Sequence, residues 1–374
     1  MPSQEFLATP KPAPNLNIPT SSSTVTVRII DSTSRLQVPM GEFMAPSIPG
    51  HEILHGPAFS FLIQHPTGRN ILFDLGCRKD WQNFAPAVLA LVTQPQWVIE
   101  VEKDVAQILE ENGVKASEGA IEAIVWSHWH YDHIGDPSTF PGSTTLVVGP
   151  GFKEAFMPAY PVNKDSPLLE KDFEGREVRE IEFGNGLKIG RFKAFDYFGD
   201  GSFYLLDSPG HAIGHMCGFA RVKTGAEDSF IFMGGDACHH GGEFRPTEYL
   251  PLPKNVHLSH PKRRGMCPGA LLEKLHCHHR KSSTQPIYQI TEKLANNIDQ
   301  AHETAHYMEE FDAAENVLVV IAHDPALLEK DAGVEFFPGT FNGWKEKQVA
   351  EKVRWTFLGD FVQAAEQLNE KGRI

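Results

Sequence analysis

Four short apolar runs in this chain stop in histidine or aspartate, and that pattern constrains the fold more than any other. Ala123-Ile124-Val125-Trp126 leads into "SHWHYDHIGD"; the others are "LLDSPGHAIGH", "FIFMGGDACHH" and "VLVVIAHD". Runs of this length, bounded by glycine and polar residues, read as buried β-strands. No segment reaches the roughly 18 uninterrupted apolar residues of a membrane-spanning helix.

The remaining strand signals support a sheet-rich core. Val25–Ile30 alternates β-branched with polar residues, and "FSFLIQH–PTGR–NILFDLG" has the form of a hairpin around a Pro/Gly turn. Further strands are expected at Thr144–Val148, Leu187–Phe195, Ser202–Leu206, Met216–Val222, Phe230–Met233 and Asn316–Ala322. Helical spacing marks Val101, Val105, Ile108 and Leu109, ending near Gly113, and then Gln289–Phe311 and Glu346–Leu368. Strands dominate the first two thirds with helices between the strand groups, which suggests a sheet-on-sheet core covered by helices. Residues 36 to 58 read as a Pro/Gly-rich loop carrying Met40, Phe43 and Met44, and residues 240 to 287 as an irregular insertion. Residues 1–24 ("MPSQEFLATPKPAPNLNIPTSSST") lack an apolar signal core and are expected to form a disordered lead. Residues 25–374 are expected to form a single domain with a C-terminal helical extension.

Charge and cysteine usage narrow the function classes. The 34 basic and 48 acidic residues of this 374-residue chain leave a formal net charge of −14. That balance disfavours broad contact with a phosphate backbone, so no nucleic-acid partner is expected, and no membrane partner either. The five cysteines (Cys77, Cys217, Cys238, Cys267, Cys277) are odd in number and scattered, which fits a reducing cytoplasm rather than a disulfide framework.

The strand ends carry the chemistry. In an extended segment His128 and His130 point to the same side, and Asp132 and His133 follow at a turn that can aim them at a neighbouring point. His211, Asp236 and His323 stand at the ends of other strands. A set of imidazoles and carboxylates suits zinc, iron or manganese. A chance polar cluster would not repeat at four strand ends.

At this point the sequence resembles the metallo-β-lactamase superfamily, whose signature is His-x-His-x-Asp-His followed by a distant His, Asp and His. The resemblance spans roughly residues 25 to 325. It implies an α+β fold, an αββα sandwich of two mixed β-sheets flanked by helices, with a two-metal site at one edge. Carried over, His128, His130 and His211 hold one divalent ion, Asp132, His133 and His323 hold the other, and Asp236 bridges, with zinc expected at both. Class B β-lactamases usually offer a cysteine where Asp236 stands, so the chain is more similar to the branch of lactonases and glyoxalase II-type thioesterases. In such a site two cations about 3.5–4 Å apart acidify a shared water and yield a bridging hydroxide nucleophile at neutral pH. Asp132 is expected to take the proton and pass it to the leaving group. Asp74 in "ILFDLGC" is similar to the superfamily's buried aspartate, which orients a ligand histidine, though a turn-capping role fits it equally well. Many lactonases of this type place a tyrosine three residues after the bridging aspartate. Here His239 stands there, and it is expected to donate to the developing oxyanion or to serve structure alone.

The expected function is therefore a metal-dependent hydrolase that opens a small cyclic ester. The alternative is a lactam or cyclic carbamate, and behind it stand a glyoxalase II-type thioesterase and a non-catalytic binding protein. The thioesterase lacks the late basic cluster that would grip its cofactor, while loop 36 to 58 could wall an apolar pocket. Rival metal signals are "HETAH" at His302–His306, a formal zinc-protease motif without a third ligand in sight, and Cys267, His276, Cys277, His278 and His279, whose spacing matches no paired arrangement. The basic stretch "HPKRRG" reads as a solvated loop.

Overall fold

Side-chain alternation decides how the strands stack. The computed structural model describes residues 5–184, 186–260, 263–275 and 282–371. The first half supplies β1 (Thr26–Pro39), the two-residue β2 (Met44–Ala45), β3 (Ile53–Gln64), β4 (Asn70–Phe73), β5 (Val98–Glu100), β6 (Ala123–Val125), β7 (Thr145–Val148) and β8 (Val178–Glu180). All but β2 join one sheet in the order β5-β1-β3-β4-β6-β7-β8. The second half supplies β9 (Lys188–Ile189), β10 (Phe192–Asp196), β11 (Phe203–Asp207), β12 (Met216–Lys223), β13 (Ser229–Met233), β14 (Asn255–His260), β15 (Arg263–Pro268), β16 (Gln289–Ile290) and β17 (Val317–Val320). The second sheet runs β17-β13-β12-β11-β10-β9, while β14 pairs with β15 and β16 with β2.

Helices α1 (Pro86–Val92), α2 (Val105–Glu111), α3 (Tyr131–Ile134), α4 (Phe152–Phe156), α5 (Gly269–Leu272), α6 (Ile298–Ala313), α7 (Val349–Val353) and α8 (Val362–Lys371) complete the framework. Val27, Ile29, Ile71, Phe73 and Val125 of the first sheet meet Ile231, Met233, Leu318 and Val320 of the second in one buried cluster. The residues between them face outward. Leu72, Ile124 and Leu146 pack with Val105, Leu109 and Phe152 of α2 and α4. On the other side Phe230, Phe232, Val317 and Val319 pack with Met308 and Phe311 of α6. The period of two thus gives each sheet one face for its partner and one for helices, an αββα sandwich. Each fully buried Leu, Ile or Phe contributes about 1.5–3 kcal/mol.

Both sheets are mixed. β4, β6, β7 and β8 run parallel, as do β13 and β17, and the other pairings are antiparallel. The carboxyl ends of β4, β6, β13 and β17 open on one edge, the edge at which open α/β sheets place their ligands.

Several elements differ from the sequence expectation. β1 and β3 pair from Thr26–Gln64 out to Pro39–Ile53, so the loop expected at 36–58 is only the segment 40–52. The strand expected at Leu187–Phe195 is a tight hairpin turning at Gly190, whose φ of +54° suits glycine. The helix expected from Gln289 begins at Ile298, where the Asn297 side chain accepts from the Gln300 N–H and caps it. The single helix expected over Glu346–Leu368 is instead α7, a 3-10 stretch (Thr356–Phe361) and α8. Trp355, Phe357, Leu358 and Phe361 are all buried there, which a regular amphipathic helix with one apolar stripe could not achieve.

Among the described residues of the expected insertion, Leu252, Val256, Cys267, Leu272 and Ile287 share a buried cluster with the adjoining Tyr288, with Met40 and Met44 and with those C-terminal aromatics. The lead expected to be disordered is placed from residue 5 onward. Leu7 N–H donates to Leu252, Gly190 N–H donates to the Leu16 carbonyl, and Leu16 is buried against Phe192 and Phe311. Apolar anchors at Leu7 and Leu16 outweigh the Pro/Ser/Thr composition. Among the described residues no helix is long and apolar enough to cross a membrane, and Cys77, Cys217 and Cys238 are free thiols.

Candidate metal centre

Four strand ends deliver the side chains. β6 runs out at Val125 into the bends carrying His128 and His130, which are extended loop rather than strand, and α3 then presents Asp132 and His133 from its single turn. Asp236 follows β13, His323 follows β17, and His211 lies in the turn between β11 and β12. The seven residues singled out in the sequence form two groups that share Asp236: His128, His130, His211 and Asp236, then Asp132, His133, Asp236 and His323.

The geometry within each group is that of ligands aimed at a common point. His130 Nδ1 lies 2.9 Å from His128 Nε2 and 2.9 Å from His211 Nε2. Neutral imidazoles cannot satisfy three converging nitrogens with the protons available, and a cation among them would. Asp236 turns one oxygen to each group. Its Oδ2 is 3.7 Å from His128 Nε2 and 3.6 Å from His211 Nε2, and its Oδ1 is 3.1 Å from His133 Nε2 and 3.0 Å from His323 Nε2. Asp132 Oδ2 is 3.5 Å from His323 Nε2. His133 Nε2 and Asp236 Oδ1 are buried without a hydrogen-bond partner among the described residues. Orphaned polar atoms of this kind are costly, and a bound divalent ion removes the cost.

Neighbouring groups fix the ring orientations. Asp74 accepts from the Ser127 N–H and hydroxyl at 2.6 and 2.7 Å and lies 2.8 Å from His133 Nδ1, so the His133 Nδ1–H donates to it and Nε2 faces the centre. That settles Asp74 as the orienting carboxylate. Its φ of +60° is one of the few positive values taken by a residue other than glycine, and aspartate tolerates it. His323 Nδ1 donates to the Pro57 carbonyl, again leaving Nε2 for the site. The chain passes close there: a Cβ on Gly56 would meet the His323 carbonyl oxygen at 2.8 Å. His215 was missed in the sequence although "HAIGH" displays it. Its Nε2 accepts from the Asp236 N–H at 3.1 Å and its Nδ1 faces the Ser208 carbonyl at 3.0 Å, so it sets the backbone of the shared aspartate.

Electrostatics sort the ligands. Burial and neighbouring imidazoles hold His128 and His211 well below the ordinary histidine range and His130 at about 3, which keeps all three as neutral lone-pair donors. Burial also depresses His323, but the carboxylates of Asp236 and Asp132 outweigh it and raise the group to about 9. Burial would raise Asp236, yet His133 and His323 pull it well below the carboxylate range. Burial holds Asp132 above its ordinary value. Protons on His133 and His323 thus balance the carboxylates in the way that a cation would.

His239 stands beside this cluster. Its Nε2 is 3.4 Å from Asp236 Oδ2, its ring centroid is 4.5 Å from that of Phe43, and both buried ring nitrogens lack a hydrogen-bond partner among the described residues. Its backbone N–H and that of His240 donate to Glu243, a buried carboxylate inside the supposed insertion that composition did not reveal. A cavity of about 760 Å³ opens over the cluster, and its lining includes Leu36, Phe43, Trp97, Tyr131, Trp355 and Phe357. Phe43 is thus a wall, whereas Met40 and Met44 belong to the core beneath it.

The rival motif does not assemble. His302 and His306 lie on α6, but no third His, Cys, Asp or Glu joins them in a ligand group among the described residues; His306 pairs with Glu309 and Glu303 accepts from the Tyr307 hydroxyl. Residues His276, Cys277, His278 and His279, and Pro261 and Lys262 of "HPKRRG", lie outside the described residues.

Comparison with known proteins follows the same line. Residues 54–224 match the metallo-beta-lactamase superfamily. The chain is 44% identical to the metallo-hydrolase mfmC of Annulohypoxylon moriforme, covering 98% of this chain and 95% of that one. It is 42% identical to the gamma-lactamase FDB1 of Fusarium pseudograminearum, covering 95% and 87%. Among solved structures it is similar to B. thuringiensis AiiA with N-decanoyl-L-homoserine bound, at a TM-score of 0.55 and 16% identity over 85% of this chain and all of that one, a likeness of fold. Identity above two fifths along nearly the whole length, together with the matched domain, makes this chain a member of the metallo-β-lactamase superfamily.

Proposed function

We propose that this metal-dependent hydrolase opens a small cyclic ester. The observation that carries the reading is the pair of ligand groups sharing Asp236 at the floor of an apolar-walled cavity. His128, His130, His211 and Asp236 would hold one divalent cation, and Asp132, His133, His323 and Asp236 the other, with zinc suited to the donor set. Bound there, two cations supply an acidified water and an electrophile for the substrate carbonyl. Asp132, buried and with a raised affinity for protons, holds the proton released from water and returns it to the leaving atom. The His239 imidazole, 3.4 Å from Asp236 Oδ2 and part of the cavity lining, would donate an N–H to the carbonyl oxygen as charge develops. Phe43, Trp97 and Trp355 exclude water and orient the ring.

A cyclic amide or carbamate is the second reading, favoured by the 42% identity to a protein named gamma-lactamase. An amine leaves less readily than an alkoxide and needs its proton delivered, which gives Asp132 a heavier task. A thioesterase using an anionic, peptide-like thiol fits poorly: Glu329, Asp331, Glu351 and Asp360 line the cavity, with Lys352 beside them. The test is a hydrolysis panel of unsubstituted and aryl-fused lactones, γ-lactams, cyclic carbamates and thioesters on zinc-loaded protein. The reading expects ring-opening of lactones, with lactams second. Turnover confined to thioesters, or none at all, would overturn it.

A further inference from the structure

A third cluster of titratable side chains lines the same cavity away from the seven ligands. His51, His240 and Asp360 each place one polar atom within 4.8 Å of the others. They come from separate parts of the chain: the loop before β3, the segment after Asp236, and the 3-10 turn between α7 and α8. A metal there is the first hypothesis, and the hydrogen bonds argue against it. His240 Nδ1 accepts from the Gly242 N–H at 3.0 Å, so its proton sits on Nε2, which donates to Asp360 Oδ2 at 3.1 Å. An imidazole so fixed has no lone pair left for a cation.

The same reasoning fixes His51. Its Nδ1 lies 2.7 Å from the Tyr288 hydroxyl, and that buried hydroxyl has no other hydrogen-bond acceptor among the described residues. The phenol therefore donates to Nδ1. Burial and the nearby His240 ring keep His51 neutral, at about 4. A neutral ring that accepts at Nδ1 carries its proton on Nε2. Nε2 has no partner among the described residues, yet it is not among the sealed polar atoms, so it reaches the cavity. The wall thus presents an N–H donor beside a carboxylate acceptor, next to the aromatic faces of Trp355 and Phe357.

We propose that His51 and Asp360 form a recognition site for a hydroxyl group on the substrate, so that this enzyme prefers a ring fused to a hydroxylated aromatic nucleus. A hydroxyl bound between them accepts from His51 and donates to Asp360 through one oxygen, each through a hydrogen bond of about 2.8 Å. A ring substituent that only accepts, such as a methoxy group, satisfies His51 but makes no hydrogen bond to Asp360. The cavity volume leaves room for more than a bare five- or six-membered ring, and a few converging polar groups in an apolar wall are what orients a ligand. This inference rests on the hydrolytic reading above, because the hydroxyl is placed on the substrate of that reaction.

The test compares dihydrocoumarin with its ring-hydroxylated and ring-methoxylated derivatives. It measures kcat/KM on zinc-loaded protein and calorimetric binding of each ring-opened acid, in the wild type, His51→Phe and Asp360→Ala. Asp360 has a side chain 40% exposed, so that variant keeps the fold even where His51→Phe loses it. The wild type should favour one hydroxylated isomer over both other forms by at least about tenfold in kcat/KM and in binding. Each variant should bring the ratio close to one. Rings opened without such a preference, or a preference untouched in Asp360→Ala, would overturn the inference and leave the hydrolytic reading standing. Preferential binding of the hydroxylated acid with no ring opened would support the recognition site and defeat the hydrolytic reading instead.

Discussion

His239 shows what one side chain can add to a shared ligand set. It follows the shared aspartate by three positions, packs tilted against Phe43 and has both ring nitrogens buried without a hydrogen-bond partner among the described residues. A preorganised donor to an oxyanion is worth about 2.7–4 kcal/mol of barrier, so His239→Ala should lower kcat about a hundredfold or more while metal content holds. His239→Tyr should recover part of that loss by offering a phenol to the same oxygen. Equal kcat in the wild type and the alanine variant would reduce His239 to filling space against Phe43. At this scale the sequence was highly legible: seven strand-end residues could be picked because each follows an apolar run. Their supports were less visible. His215 sits in a motif already in view, but its bond to the Asp236 N–H depends on β11, β12 and β13 packing side by side. Glu243 gave no signal, because a carboxylate that accepts two backbone amides looks in sequence like any surface glutamate.

Between the elements, buried charge holds the ligand loops. Arg78, after β4, is almost fully buried and reaches Asp136, just beyond α3, at 2.8 Å and Asp172 at 3.9 Å. It ties the end of the Asp74 strand to the loop that leaves the His-rich turn. Asp172 gains little from this, since its Oδ1 lacks a hydrogen-bond partner among the described residues and burial, only partly offset by Arg78, raises it to about 7. The unfolded carboxyl titrates near its ordinary value of about 3.9. Between those values the folded state binds the extra proton, so Asp172 supports the fold fully below pH about 4, and its contribution is lost as pH rises through about 7. Asp172→Asn keeps an acceptor for the Leu169 N–H and should flatten that decline, giving a Tm above the wild type at pH 8 and near it at pH 4. A Tm difference between the two that does not change with pH would contradict this account. The elements of the sandwich were legible wherever alternation was clean, as in β4, β6, β13 and β17. They were not where long-range packing rules: β1 and β3 lengthen by pairing with each other, and the C-terminal segment breaks into three short helical pieces so that its aromatics can face both the insertion and the cavity.

For the whole molecule, two sheets meet so that four strand ends from distant parts of the sequence converge on one edge. The αββα core brings them together, while Leu252 and Val256 of the insertion, with the adjoining Tyr288, back the C-terminal aromatics that wall the cavity. Composition alone could not show this, because polar, His-rich stretches with a few apolar anchors look irregular until the C-terminal residues that cover them are placed. The central claim is that the edge holds two cations bridged by Asp236, and the direct measurement is metal content per chain after dialysis against zinc and removal of the excess. The account predicts two ions for the wild type and a loss of at least one in Asp236→Ala with the fold retained by circular dichroism. One ion or none in the wild type, or two ions persisting in Asp236→Ala, would contradict it.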